Sequence, residues 1–296
     1  MNDSYVKIAL ARNKHVRIYV ADTTRLCEDA RLTHDLYPTS AAALGRLLSA
    51  ATMMGLMFKE VDSKIVLQVN GKGPIGTMLA VAFGNGDVKG FVGDNTIYLK
   101  YNDTNKLAVG RAVGIDGYLS VTKTGIKNNF TGTVALQSGE LGDDLAYYFM
   151  QSEQTPSIVS LGVLVDTDYS VMAAGGMIIQ LMPNHTEEDI EYLENLLKDL
   201  KPISTMINEG KKPEEIINDL FDDAIIQDMR EVKYCCTCSK EHFIKALSTL
   251  PLSDLSDLAK DETLDLKCEY CNKHYTVNRQ DIEDLITYVE NQRLRN

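Results

Sequence analysis

Apolar and polar positions in the first half of the chain follow mainly the spacing of β-strands. Residues 6–10 and 15–20 are rich in β-branched side chains and predict the first two strands. A helix is expected from Pro38 to about Phe58, because its apolar residues recur at helical spacing and share one face. Residues 64–134 return to short apolar runs separated by Gly and Asn turns, among them TIYLK at residues 96–100, and these runs predict strands in antiparallel hairpins.

A glycine-rich stretch within this strand-rich region, Gly71 to Gly76, matches the dinucleotide-binding pattern G-x-G-x-x-G. Dinucleotide binding requires the motif to open a helix, whose N-terminus then faces the pyrophosphate. The sequence that follows, GTMLAVAFG, instead has the pattern of another strand. The motif therefore predicts a hairpin turn and not a nucleotide site.

A helix and two strands complete the first part of the chain. Ser138 is expected to cap the helix SGELGDDLAYYFMQSEQ, whose acidic first turns suit a solvated helix start. Residues 157–166 and 170–182 then predict two strands, and Pro183 marks a domain boundary.

Residues 184–231 differ in character, with fourteen acidic side chains against five basic ones. Thr186 caps a helix with Asp189 at the third position, and leucines at helical spacing give that helix an apolar stripe. Two shorter helical pieces follow, PISTMINEG and PEEIINDLFDDAII. Short charged helices gain stability mainly by packing on a neighbour. The segment is therefore either a plain helical connector or a connector whose order depends on what flanks it.

Charge and composition restrict the classes of function. A net charge of −12 argues against broad phosphate binding, and residues 232–296 contain nine basic and eleven acidic side chains without a basic stripe. We therefore expect no nucleic-acid partner. The first residues lack the apolar run of a secretory signal, and Asp166 and Asp168 interrupt the longest apolar region. We expect no membrane span and a cytoplasmic protein, whose thiols are kept reduced.

Five of the six cysteines lie between positions 235 and 271, in the sequences YCCTC and CEYC. Two cysteine pairs separated by a loop supply four thiolates, which suits a tetrahedral structural zinc site. Cys268 and Cys271 form one C-x-x-C pair. Spacing alone leaves the other pair open, since Cys235 with Cys238 makes C-x-x-C and Cys236 with Cys238 makes C-x-C. Two histidines, at positions 242 and 274, lie nearby in sequence, but four thiols already complete a tetrahedron.

The remaining residues favour a binding protein over an enzyme. The five histidines do not cluster, no acid/base constellation is evident, and neither cysteine pair sits at the strand-to-helix turn of a thioredoxin-like unit. Cys27, far upstream, is expected to be a buried thiol. Oxidants attack the thiolate form of cysteine, which is also the form that binds metal. The cysteine region is therefore either a structural metal site that stabilises the fold or a redox switch.

Together these patterns predict an α+β protein in three parts. Residues 1–183 form a mixed α/β core domain with antiparallel sheets, residues 184–231 an acidic helical linker, and residues 232–296 a small zinc-binding domain. The last part has too few residues for a hydrophobic core that is stable by itself. Bound zinc would add about 10–16 kcal/mol of binding free energy to its folding.

The whole chain resembles the 33 kDa chaperonin (heat shock protein 33) family. The resemblance rests chiefly on Cys236-Thr237-Cys238-Ser239 followed by Cys268-Glu269-Tyr270-Cys271. It is supported by Gly73-Pro74-Ile75-Gly76, Val88-Lys89-Gly90-Phe91, the helix SGELGDDLAYYFMQSEQ and Gly175-Gly176-Met177-Ile178-Ile179-Gln180.

The resemblance implies one zinc ion per chain in the reduced state, held by Cys236, Cys238, Cys268 and Cys271. It implies disulfides Cys236–Cys238 and Cys268–Cys271 after oxidation. Cys235 departs from the family pattern, and a Cys235–Cys238 disulfide or an exchanged ligand is chemically possible.

The resemblance also implies the activity, that of a redox-regulated, ATP-independent holdase chaperone and not an enzyme. Oxidation would release zinc, unfold the last domain and loosen the linker, so that unfolding client proteins bind to exposed apolar surface. The implied partners are unfolded or oxidatively damaged clients, thiol reductants that reset the switch, ATP-dependent foldase chaperones downstream and a second copy of the chain in an active homodimer.

Overall fold

The computed structural model describes residues 3–58, 60–104, 106–125 and 129–293. They form two compact units, and the chain passes from the first to the second between Cys235 and Cys236. None of the helices in the described ranges is both long and apolar enough to cross a membrane.

The first unit contains two mainly antiparallel sheets and the helices that cover them. In chain order its elements are β1 (Tyr5–Ala11), β2 (Val16–Asp22), α1 (Thr24–His34), α2 (Pro38–Gly55), β3 (Lys64–Asn70), β4 (Met78–Phe83), β5 (Asp87–Val92), α3 (Val109–Val113), β6 (Tyr118–Thr124), β7 (Asn129–Ala135), α4 (Leu141–Glu153), β8 (Ser157–Val165), β9 (Val171–Leu181), α5 (Glu187–Asp199), α6 (Ile203–Asn208), α7 (Pro213–Leu220), β10 (Ile225–Glu231) and β11 (Lys233–Tyr234).

Among the described residues, the strand order is β10-β1-β2-β9-β8 in one sheet and β11-β5-β4-β3-β6-β7 in the other. Neighbouring strands are antiparallel except β11, which runs parallel to β5. Helix α2 packs against strands of both sheets and is buried along nearly its whole length. Its small residues allow this close approach: a Cβ added at Gly45 would lie 2.9 Å from the Val163 side chain.

Several sequence predictions for this unit are confirmed. The first two strands and helix α2 lie where expected, and residues 71–76 form the turn between antiparallel strands β3 and β4. Cys27 is buried, and burial raises the pKa of its thiol to about 12. The predicted strand at residues 96–100 is wrong, because that stretch contributes only an isolated bridge between Lys100 and Leu107.

The expected Ser138 cap is also wrong, because helix α4 begins at Leu141 and Glu140 occupies the N-cap position. The Ser138 hydroxyl instead accepts a hydrogen bond from the Glu140 backbone N–H at 3.1 Å. The Glu140 carboxylate points away from the helix, where it pairs with Arg46 and accepts from the Gly110 backbone N–H.

The acidic segment packs as part of the first unit. Helix α5 begins with the predicted capping box, in which Thr186 and Asp189 exchange hydrogen bonds. Apolar side chains from α5, α6 and α7 form a second core with one face of the β1, β2 and β9 strands. The buried members contributed by the segment are Leu193, Ile203, Met206, Ile207, Ile216, Ile217 and Phe221.

The last part of this segment is a strand, whereas the sequence predicted helix as far as Ile226. Helix α7 ends at Leu220, and Ile225–Glu231 pairs antiparallel with the edge strand β1. Backbone pairing with a distant strand thus overrides the local helical signal.

Asp189 gives the acidic segment a pH-dependent attachment to the first unit. Its buried carboxylate accepts hydrogen bonds from Arg12 and His15, each at 2.9 Å, as well as from the α5 cap. Burial alone would raise the pKa of Asp189, but the hydrogen bonds outweigh it and the pKa lies well below its usual range. A depressed carboxyl pKa stabilises the fold above the unfolded-state pKa of about 3.9, and this stability is lost as the pH falls.

We expect Asp189→Asn to lower the free energy of unfolding by about 2 kcal/mol at pH 7, through loss of cap and ion-pair strength. Urea unfolding measures this difference, which should shrink below about pH 4, because the Asp189 carboxylate then takes up a proton in the unfolded chain but not in the folded one. Glu188→Gln is the matched control, because Glu188 also contacts Arg12 but its side chain is 83% exposed. An equal difference at pH 7 and pH 3 would contradict the assignment to the carboxylate charge.

The second unit contains α8 (Lys240–Leu247), α9 (Leu252–Leu258), β12 (Thr263–Lys267), β13 (His274–Asn278) and α10 (Arg279–Arg293). Its hydrophobic cluster has Leu255, Leu285 and Val289 as buried members, with a few partly buried neighbours. Helix α8 has no buried residue. So small a core gives the unit little stability of its own.

Candidate metal centre

The first cysteine pair follows directly after β11. Here the Tyr234 hydroxyl donates to the Gly90 carbonyl at 2.8 Å, and the Cys235 backbone N–H donates to the Val88 carbonyl at 2.8 Å. The chain at Cys235 is therefore held as a continuation of β11 along β5. Its next residue, Cys236, is the first of the second unit.

The second cysteine pair lies in the tight turn between β12 and β13. The Cys268 backbone N–H donates to the Lys273 carbonyl at 2.9 Å, and the Asn272 N–H donates to the Cys268 carbonyl at 2.8 Å. Asn272 adopts the left-handed conformation with φ of 57°. The hairpin thus fixes the backbone from which Cys268 and Cys271 project.

The structure brings together the four cysteines that the resemblance implied as ligands. The Sγ atoms of Cys236, Cys238, Cys268 and Cys271 all lie within 4.8 Å of one another. Cys236 and Cys268 Sγ are 3.8 Å apart, and Cys238 and Cys271 Sγ are 3.3 Å apart. Zinc–sulfur bonds of about 2.3 Å in a tetrahedron place sulfur atoms about 3.8 Å apart. Both the spacing and the all-sulfur donor set therefore fit zinc.

Cys235, half-buried, lies outside this group of candidate ligands in the part of the chain that is described. The two nearby histidines also lie outside it. His274 Nδ1 instead contacts the Asp265 carboxylate at 2.8 Å on the exposed side of the β12–β13 hairpin. The His242 backbone N–H donates to Ser239 Oγ, which caps α8.

Tyr275 is a polar neighbour of the cluster that the sequence analysis missed. Its hydroxyl lies 2.9 Å from the Cys238 carbonyl oxygen and 3.2 Å from Cys238 Sγ. The ring packs against Phe243 of α8 with centroids 5.3 Å apart. Strand alternation gives the signal that identifies it, because Tyr275 shares a face of β13 with the buried Val277.

The environment favours a thiolate at Cys238. Burial raises its pKa, but hydrogen bonds from Tyr275 and the neighbouring thiols outweigh that effect and lower the pKa to about 7. The same hydrogen bond raises the pKa of Tyr275 to about 12, so its hydroxyl keeps the proton. Burial raises the pKa of Cys271. A cation bound between the sulfurs would favour deprotonation of all four.

Comparisons with known proteins match the same family over nearly the whole chain. The sequence model of the family described as Hsp33 protein matches residues 4–278. The 33 kDa chaperonins of Bacillus cereus (strain G9842) and Bacillus anthracis (strain A0248) are each 41% identical over 290 residues, covering 97% of this chain and 99% of the relative.

The solved structure of the 33 kDa chaperonin (heat shock protein 33 homolog) of Thermotoga maritima matches with a TM-score of 0.87 and 31% identity. The match covers 97% of this chain and 99% of that one. The mixed α/β fold with antiparallel sheets and a terminal cysteine cluster is therefore as predicted. The chain belongs to the heat shock protein 33 (33 kDa chaperonin) family.

Proposed function

We propose that this protein is a redox-regulated, ATP-independent holdase chaperone that senses oxidants through zinc-bound cysteines. The observation that carries the proposal is a cluster of four thiols, all within 4.8 Å, in a terminal unit with a very small hydrophobic core. Such a unit depends on its metal for folding, so loss of the thiolates is loss of the fold. The protein is in this account a binding protein and not an enzyme.

Cys236, Cys238, Cys268 and Cys271 would hold the zinc, which when bound supplies the positive charge that keeps the four thiols deprotonated. The Tyr275 hydroxyl donates to the Cys238 carbonyl and contacts Cys238 Sγ at 3.2 Å, and these two contacts orient the residue. Hydrogen peroxide would oxidise two thiolates to one disulfide; the thiolates supply two electrons and the solvent two protons, which convert the peroxide to two waters. We assign the pairs Cys236–Cys238 and Cys268–Cys271, after which no thiolate is left to hold the metal.

The acidic segment is the element that would respond. Its apolar residues cover an apolar face of the β1, β2 and β9 strands, so undocking would expose both surfaces at once. Large exposed apolar patches on a protein surface are sites at which other proteins bind. Unfolding clients would bind there, and the segment's acidic outer face would keep the complex soluble.

The remaining parts of the proposal follow from the chaperone family. The clients are unfolded or oxidatively damaged proteins in the cytoplasm, and thiol reductants restore the zinc-binding thiols. Bound clients pass to ATP-dependent foldase chaperones, and the active form is a homodimer.

Tyr234, which precedes the first cysteine pair, is attached within the first unit, because its hydroxyl contacts His34 Nε2 at 2.7 Å and the Gly90 carbonyl at 2.8 Å. We expect Tyr234→Phe to lower the stability of this attachment by about 1–2 kcal/mol, since both partners lose their hydrogen bond to the hydroxyl. With peroxide present, client protection should then begin at a lower temperature than in the wild type. Light scattering of an aggregating client measures the onset, and Tyr288→Phe, at an exposed ring, is the control. An unchanged onset temperature would show that the Tyr234 hydroxyl has no role in activation.

The proposed activity is tested by adding the purified protein to a thermally unfolding client enzyme without ATP. The reduced, zinc-loaded protein should leave aggregation unchanged. The same protein treated with peroxide at mildly raised temperature should suppress it at a near-stoichiometric ratio, and dithiothreitol should reverse the effect. Equal protection by both forms would contradict redox regulation.

A further inference from the structure

A cavity of about 510 Å³ lies in the first unit, outside the cluster of four thiols. Pro202, Ser204 and Thr205 of the acidic segment form part of its lining. One wall is the consecutive backbone from Leu161 to Thr167, at the end of the edge strand β8. The stretch that follows β5 contributes Tyr98, Lys100 and Lys106 to the lining. A volume in the range of about 300–1,000 Å³ is that of ordinary small-molecule sites.

Three cationic side chains face this cavity, namely Arg46, Lys100 and Lys106. Among the described residues of the lining, the one acidic side chain is that of Asp166, and one of its carboxylate oxygens accepts from the Thr167 backbone N–H at 2.6 Å. Three cations against one carboxylate leave the lining an excess of positive charge, which the Glu140 partner of Arg46 reduces, within a chain whose net charge is −12. A local positive field in an acidic protein selects anions.

Arg46 is held in place without being saturated. One terminal nitrogen of its guanidinium pairs with Glu140, while Nε has no hydrogen-bond partner among the described residues. Nε is itself buried, so the donors that remain for a ligand are those of the terminal nitrogens. Lys100 is placed by Tyr98, whose ring centroid lies 5.2 Å from the lysine Nζ.

The rest of the lining is largely apolar. Its apolar residues are Leu107, Pro38, Pro202 and the β8 residues Leu161, Val163, Leu164 and Val165, and Ser204 and Thr205 are polar neighbours. An inorganic anion would use the cations but leave this surface in contact with water. A neutral apolar molecule would cover the apolar surface but leave the three cations without an anionic partner.

We propose that this cavity binds an amphiphilic organic acid, whose acid group meets Arg46, Lys100 and Lys106 and whose aliphatic body lies along β8. The site is distinct from the cysteine centre and is present in the reduced protein. Its test therefore succeeds or fails independently of the redox-switch proposal.

Isothermal titration of the full-length, reduced, zinc-loaded protein with decanoate, below the concentration at which decanoate forms micelles, tests the site. Decanol and inorganic phosphate probe the apolar and the charged halves separately. We expect saturable one-site binding of decanoate, with decanol and phosphate each at least about tenfold weaker because each makes only half of the contacts. Decanol or phosphate binding as tightly as decanoate would overturn the assignment.

The double variant Lys100→Gln/Lys106→Gln should weaken decanoate binding about tenfold, because two exposed cations are removed. The double variant Lys14→Gln/Lys64→Gln makes the same change in net charge at exposed positions outside the cavity, and should bind within about twofold of the wild type. Equal affinities for the two double variants, or absence of saturable binding by the wild type, would overturn the proposal.

Discussion

Cys236→Ser is expected to lose its zinc, whereas Cys235→Ser is expected to keep it. Cys236 Sγ lies 3.8 Å from Cys268 Sγ, within the group of four thiols, while Cys235 lies outside that group. The backbone of Cys235 is also held against β5 through its hydrogen bond to Val88. Dividing a zinc-binding free energy of about 10–16 kcal/mol among four ligands gives about 3 kcal/mol each, or about a 100-fold loss of affinity.

Atomic absorption after dialysis against a chelator measures the zinc content of both variants. Because the terminal unit has little core of its own, Cys236→Ser should also lose the near-ultraviolet signal of Tyr275 and become sensitive to protease after Tyr234. Cys235→Ser should match the wild type in both assays. The reverse pattern, zinc lost from Cys235→Ser and retained by Cys236→Ser, would show that the two neighbours exchange roles.

Phe221→Ala is expected to protect clients without any oxidant and with zinc still bound. Phe221 is 1% exposed, lies in the core between the acidic segment and the sheet, and packs on Tyr192 with centroids 5.5 Å apart. Truncating a buried Phe to Ala costs about 3–5 kcal/mol. If the substitution lowers the stability of the docked segment relative to the undocked segment by this amount, the undocked population rises by about two to three orders of magnitude.

Client light scattering with the reduced variant measures this effect, and zinc content is determined on the same sample. Leu197→Ala is the control on the same segment, because Leu197 is 49% exposed and its truncation removes little buried area. It should need oxidant as the wild type does. A zinc-loaded Phe221→Ala protein that still requires oxidant would show that client binding does not depend on undocking of the segment.

Local signals explain which parts of the fold the sequence predicts. The hairpin turn at residues 71–76, the Pro38 helix start and the Thr186 capping box each depend on residues close together in the chain. Strand β10 does not, since it exists because Ile225–Glu231 pairs with β1 more than two hundred residues away. The Ser138 cap failed for a similar reason, because Arg46 and Gly110 bind the Glu140 carboxylate beside it.

The candidate metal centre also has a part that the sequence predicts and a part that depends on contacts between distant residues. Cysteine spacing identified the two pairs, and Cys235 was separated from Cys236 only by resemblance to a known family. The structure adds the physical distinction, since Cys235 continues along β5 and Cys236 Sγ lies among the other thiols. Tyr275 and Tyr234 were missed because their contacts, with Cys238 and with Gly90 and His34, depend on tertiary packing and have no sequence motif.

The central claim is that loss of the metal and gain of chaperone activity are one event. The direct test records both in the same cuvette during peroxide treatment with mild heat, with a chromogenic chelator reporting zinc and light scattering reporting client aggregation. We predict release of one zinc per chain together with the onset of protection, and reversal of protection by reductant. Complete zinc release with no gain in client protection would contradict the account.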